Sequence, residues 1–257
     1  MDDNNIYIYF NVIIIQVTLQ KNKHMRLIKL LLISISLINT VYINAQKETR
    51  KLEPYNKINV FGNLDVDLVK GDSFKIIIDC QGANIEEITS VIDEGELKIR
   101  LITDLFSDAK VNIRIYHQDL VSVEATGGAN ISSDMLIKGD KLNLNAGSGG
   151  DVYLYNVEMN NITARVAKGS TMALSGKTKV ETITVLSGGT FSGFEMECET
   201  AYVDATTGGN AKVYVTEKLD AKATTKGYIG YQGSPKIIDD ISNLGGKIVE
   251  DTGEEEE

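Results

Sequence analysis

Few residues in this chain could do chemistry. Three carboxylates, Glu124, Asp151 and Asp204, fall on or beside a series of strand-like segments. Two of them held about 5–9.5 Å apart would supply the acid and the base or nucleophile of a glycosidase. A polysaccharide-acting enzyme is therefore one reading. Against it, the three do not recur at one position of successive segments. Asp151 follows a glycine, where Asp is an ordinary turn residue, and the chain has no Trp to stack on sugar rings. Beyond residue 45 the only histidine is His117, so most nucleophilic triads and histidine-ligated zinc sites lack their parts. His117 ends an alternating apolar segment and reads as structural. The sequence assigns no catalytic residue, no cofactor and no metal site.

Two further motifs resemble ligand sites. GSGGDV around Gly149 looks like part of a glycine-rich calcium repeat, but that repeat recurs every nine residues. The Asp has no counterpart in the other segments, where Asn130, Thr171 and Phe191 stand. Paired glycines could cradle a phosphate only with a helix starting behind them, and a strand-like run follows instead. The tyrosines are the remaining feature. Tyr153 and Tyr214 read as equivalent outward positions, with Tyr155, Tyr202, Tyr228 and Tyr231 nearby. An exposed row of this kind could stack on a glycan or anchor a protein partner. It could equally reflect the suitability of Tyr for pleated surfaces. Cys80 and Cys198 have no metal or redox spacing; they read as a disulfide or as two small buried apolar residues.

These residues are positioned by a repeat. Glycine-centred turns occur at Gly128, Gly149, Gly169, Gly189, Gly209 and Gly227, at intervals of 21, 20, 20, 20 and 18 residues. A period near 20 signals a repeat architecture. Aligned on these glycines, Val121, Leu142, Ile162, Ile183, Val203 and Ala221 form one apolar column. Val123, Leu144, Ala164, Val185, Ala205 and Ala223 form a second, two residues later. The position between them is polar throughout: Ser122, Asn143, Thr163, Thr184, Asp204 and Lys222. Alternation within a segment means a strand, and recurrence between segments means stacking of coils. The glycines are expected at coil corners with φ > 0. The fold class expected is all-β: a right-handed parallel β-helix or β-solenoid with coils of about 20 residues, preceded by additional N-terminal strands. A β-sandwich is the alternative.

Residues 55–116 alternate with period two, and Glu94-Gly95 sits at a hairpin tip. A short helical turn is expected only at 83–89. Two prolines in the whole chain suit a molecule made of ladders. The glycine repeats are expected over 120–235, ending at Pro235, with a closing strand at 244–249.

The N-terminus reads as an address. Residues 25–45 have a basic start, an apolar run and a small residue, Ala45, before the cut, which are the parts of a signal peptide. Residues 1–24 read as an upstream extension from an earlier start codon. The exported chain would be a single all-β domain over 46–249 followed by an acidic disordered tail over 250–257. The formal charge is -10, so a nucleic-acid partner, which requires neutralised phosphates, is excluded.

The order of these features resembles one family. A signal peptide precedes YNKINVFGNLDVDLVKGD, VIDEGELKI, the serial glycine turns, GYIGYQGSPKI and a final GGKIV. This is similar to the head GIN domain family of putative auto-transporter adhesins, from about Tyr55 to Val249. The resemblance implies a β-helical fold, export to the periplasm, outer surface or medium, and no established enzyme activity. The leading expectation is thus a non-enzymatic envelope protein that binds a glycan or an envelope protein. A structural protein that forms a homodimer through its open coil ends is a further alternative. The region after Val249 lacks the strands of a membrane barrel, so self-translocation is not expected.

Overall fold

The computed structural model describes residues 45–81, 84–101 and 110–252. The upstream extension, the signal segment up to residue 44 and residues 253–257 lie outside the described residues. The chain starts with β1 (Ala45–Lys51), β2 (Lys57–Phe61), β3 (Asp65–Lys70) and β4 (Lys75–Gln81). A single 3-10 turn, Ile85–Glu87, falls inside the stretch expected to be helical. A hairpin of β5 (Ile88–Asp93) and β6 (Glu96–Leu101) follows, then β7 (Lys110–His117). Its tip is Glu94-Gly95, with φ of 48° and 74°, the pairing of positive angles that a two-residue hairpin favours.

The later strands are β8 (Ser122–Thr126), β9 (Asn130–Ser133), β10 (Ile137–Gly147) and β11 (Asp151–Ala167). They continue as β12 (Thr171–Leu186), β13 (Thr190–Thr206), β14 (Asn210–Thr224) and β15 (Tyr228–Gly233). The last two are β16 (Ile237–Ser242) and β17 (Lys247–Glu250). From β8 onward each pairing is parallel, coil on coil. The fold is a β-solenoid. Its first face carries β6, β2, β8, β10, the C-terminal halves of β11–β14, and β16. Its second face carries β7, β3, β9, the N-terminal halves of β11–β14, β15 and β17. Strands β11–β13 are long because they bend between faces; β11 shifts register between Leu154 and Val157 at that bend.

The stack is longer than the glycine repeats suggest. β2 and β3 pair in parallel with β8 and β9, so a coil exists before Leu120. β6 and β7 lie beneath β2 and β3 in the same way. The chain segment 75–117 is interposed between partners such as Lys57 and Ser122, which hides the period. At the other end β16 pairs with β14 and β17 with β15. Pro235 therefore interrupts the repeat without ending it, and Glu250 belongs to a strand. Antiparallel pairing of β1 with β4, β4 with β7 and β5 with β6 closes the N-terminal end.

The core columns differ from the sequence alignment by a two-residue slip. Leu142 pairs with Ile162, but Ile162 pairs with Glu181 and Glu181 with Ala201. Ile183, Val203 and Ala221 stack on Ala164 and Leu144 instead. Because side chains alternate, a slip of two keeps every residue on its own face, so the error leaves the apolar pattern intact. What it hides is Glu181, fully buried in a core column.

The glycines slip likewise. Gly128, Gly149 and Gly169 take the second turn position, with φ of 89°, 74° and 71°. Gly188 and Gly208 share that position at 72° each, and Lys226 occupies it at 62°. Gly189, Gly209 and Gly227 sit one residue later and do not adopt positive φ. Their requirement is proximity. A Cβ on Gly209 would lie 2.3 Å from the Val185 carbonyl oxygen of the preceding coil. The turn is fixed by Gly209 N–H donating to Thr206 O at 3.0 Å. Gly208 N–H donates to Thr225 O of the next coil at 3.1 Å.

Candidate binding surface

The three carboxylates do not converge. On the first face Glu124 and Asp204 share an outward row, Glu124–Asn145–Arg165–Thr184–Asp204–Lys222. Four strand steps separate them, about 19 Å at about 4.8 Å each, well beyond glycosidase spacing. Asp151 is on the second face, where its Oδ1 accepts from the Thr171 backbone N–H at 2.7 Å. It is thus a turn residue holding the next coil. His117 is buried at the end of β7, its Nδ1 3.2 Å from Gln118 O, and burial lowers its pKa. Cys80 lies on β4 and Cys198 on β13, both buried, with no disulfide between them. Cys198 donates to Thr200 O at 2.9 Å, and burial, then the Glu181 charge, pushes its thiol pKa up.

The tyrosine row is not formed. Tyr153 lies between Ser132 and Ala173, in the row that continues through Ser192 to Lys212. Burial, then the neighbouring Asp151 charge, raises its pKa. Tyr214 lies between Glu197 and Gln232, two residues further along its strand than Lys212, and its row continues through Lys177 to Glu158 in β11. Tyr155, partly exposed, falls in the register shift of β11 between Leu154 and Val157. The same two-residue slip therefore separates Tyr153 from Tyr214. Tyr202 is on the first face, 43% exposed, with the Lys218 ammonium 5.9 Å from its ring centre.

A different aromatic group does assemble on the second face. β13 shifts register between Gly193 and Glu197, and Phe194, in the extra residues, turns outward over β14 and β15. The Lys212 ammonium stands 5.3 Å from its ring centre, within cation–π range. Next to Lys212 in the same row is Gly230. A Cβ there would lie 3.2 Å from Tyr228 Cε1 and 3.6 Å from Phe194 Cζ. The two rings thus close over a glycine that leaves room for them. Tyr214, two residues along β14 from Lys212, projects on the same side. The result is a partly exposed patch of two rings, one cation and an adjoining phenol. Alignment on the turn glycines gave no sign of Phe194, because a bulge aims it. The readable signal was an outward glycine two residues after an aromatic, in YIGY.

Among the described residues nothing covers the C-terminal coil end. Ile237, Ile238, Ile241, Leu244 and Val249 are each at least 43% exposed. Asp239 and Asp240 stand among them on β16, and charge on an open edge opposes strand pairing between molecules.

Similar folds occur among solved structures. A putative adhesin from Bacteroides fragilis matches with a TM-score of 0.72 at 15% identity, over 80% of this chain and 96% of that one. A putative lipid binding protein from Parabacteroides distasonis matches at 0.61 and 18% identity, over 80% and 97%. A putative adhesin from the same species matches at 0.59 and 16%, over 80% and 97%. At such identities the likeness establishes the fold. No curated protein matches the chain significantly. The model of the family described as "Putative auto-transporter adhesin, head GIN domain" matches residues 54–235. That is most of the 257 residues, and the chain belongs to the head GIN domain family.

Proposed function

We propose that this protein is an exported, non-enzymatic adhesin-like module of the cell envelope that takes a glycan or protein partner on the second face. The observation that carries this reading is the patch of Phe194, Tyr228 and Lys212. Aromatic rings with a polar neighbour are the usual anchors of such contacts. Tyr214 extends the patch, and Tyr153 lies in the Lys212 row three strands away. The family name points the same way. The dispersal of Glu124, Asp151 and Asp204 speaks against the polysaccharide-cleaving alternative.

The test is retention of purified protein on intact cells and on an array of surface glycans. The double variant F194S/Y228S should lose at least about tenfold in retention, the scale of one hot-spot side chain. Its melting temperature should stay near the wild-type value, because both residues lie outside the core columns. Unchanged retention would move the contact elsewhere.

A further inference from the structure

The outward rows of the first face are matched to themselves. The row that holds Glu124, Asn145, Arg165 and Asp204 extends back through Asn59 to Lys98. Its charges alternate, positive at Lys98 and Arg165 and negative at Glu124 and Asp204, with one neutral residue between each. Glu124 and Arg165 make no ion pair among the described residues. Arg165 is exposed and has only neutral groups around it. Asn145 and Thr184 flank it in its row, Thr163 and Ala167 along its strand, and no diagonal neighbour is charged.

A two-fold axis along β10 sets two copies of this face together with their strands aligned, one of the two ways in which sheets pack. Positions equally far from β10 then meet. Glu124 of each copy faces Arg165 of the other, and a guanidinium can take a carboxylate bidentately. Further out Lys98 faces Asp204, although Asp93 and Glu96 already hold that lysine at 2.6 and 3.5 Å. In the next row Phe61, 39% exposed, meets Leu186, and Thr126 meets Ala167. One axis thus matches both the charged and the apolar row. Lys141, at the rim, meets its own copy where both ammonium groups can stay in water. An axis along β12 would pair Arg165 with Asp204, but it would leave Phe61 uncovered and set Glu124 against Ile241. From β5 to β14 the facing surface is about 38 Å by about 17 Å, or about 1,300 Å² over both copies, the low end for a specific interface.

We propose that the protein forms a homodimer through the first face, two-fold about β10. The occupant of that face is a second copy of this chain, because the face complements itself in charge and in apolar contact. The second faces, with Phe194 and Tyr228, then point away from each other. One dimer presents two copies of that patch, which raises retention on a surface through avidity. The dimer does not depend on what the patch binds.

Sedimentation equilibrium of residues 45–257, which make one compact unit, tests it. The wild type should be a dimer that dissociates on dilution. R165E and E124R should each weaken it at least about tenfold, since each sets like charges together. The double variant E124R/R165E should recover the dimer, because the exchanged charges face each other again. D204N should dimerise as wild type does, which an axis along β12 does not allow. All four should melt near the wild-type temperature, because the substituted side chains lie outside the core. A wild type that stays monomeric at about 1 mM, or a dimer indifferent to R165E, would overturn the proposal. So would a double variant that fails to recover. A dimer lost in I238D and kept in R165E would also overturn it, by placing the contact at the C-terminal coil end.

Discussion

Stability should fall as pH rises from about 4.5 to about 8, by roughly 1.4 kcal/mol per unit. The source is Glu181. It occupies a core column between Ile162 and Ala201, is fully buried, and neither carboxyl oxygen has a hydrogen-bond partner. Burial pushes its pKa from 4.5 to about 8. In the unfolded chain it ionises near its ordinary value. Between those two values the folded protein holds a proton that the unfolded protein has released. The proton then favours folding at acid pH, and its contribution is gone once pH passes the folded pKa. Ion-paired carboxylates such as Glu158, whose pKa is lowered, act in the opposite direction, and only in more acid solution. Chemical denaturation of wild type and E181Q from pH 5 to 8 isolates the term, because Gln does not titrate. The gap between the two should widen steadily with pH. E181L should go further. It removes an unsatisfied buried acid and restores the apolar type found at Leu142 and Leu219, with a gain of at least about 3 kcal/mol at neutral pH. A flat pH difference, or a gain within about 0.5 kcal/mol, would mean that the carboxyl reaches water.

This residue shows how far the sequence can be read. The alternation, the period and the turns were all legible, and from them the solenoid. The register was not. Turn spacing of 19 residues in one coil and 21 in another cannot be told from 20 when several glycines stand side by side. A slip of two costs nothing in the apolar pattern. With Ile183 set above Ile162, Glu181 fell two residues before the column and entered no part of the alignment.

The second large effect concerns two adjacent glycines. Gly209→Ala should destabilise by about 3 kcal/mol or more, the upper range for overpacking. Its new Cβ would stand 2.3 Å from Val185 O and 2.6 Å from Val185 C. Those are backbone atoms of the coil below, so relief requires moving a coil. Gly208→Ala should cost only about 1 kcal/mol. Its φ is 72° but nothing lies within 4 Å of the new carbon. Thr207 at 52° and Lys226 at 62° already show that side chains tolerate this region here. Urea denaturation of the two variants gives the order directly. If Gly208→Ala were the worse of the two, backbone conformation and not the approach of coils would govern the corner.

The surface was less legible than the core. Tyr155 and Tyr214 face outward as their alternation requires, but Phe194 owes its direction to extra residues in β13. Its neighbours Lys212 and Gly230 are 18 and 36 positions away along the chain and are brought beneath it by stacking. Likewise the first coil is built from β2 and β3, whose partners come after a 75–117 excursion. Local pattern reports which side a residue faces. It does not report which residue lies in the next coil when a bulge or an insertion intervenes.

The coil register is the claim on which Glu181, the Gly209 contact and the aromatic patch all depend, and cysteine cross-linking measures it. Thr163 pairs with Thr182, and both side chains are exposed, about 4.8 Å apart between strands. Alignment on the glycines would instead set Thr163 against Thr184, which in the observed register lies about 8 Å away on the diagonal, too far to bridge. Mild oxidation should therefore join the pair in T163C/T182C and leave T163C/T184C reduced. Cross-linking of T163C/T184C with T182C left reduced would restore the simple period, return Ile183 to the column above Ile162, and remove Glu181 from the core.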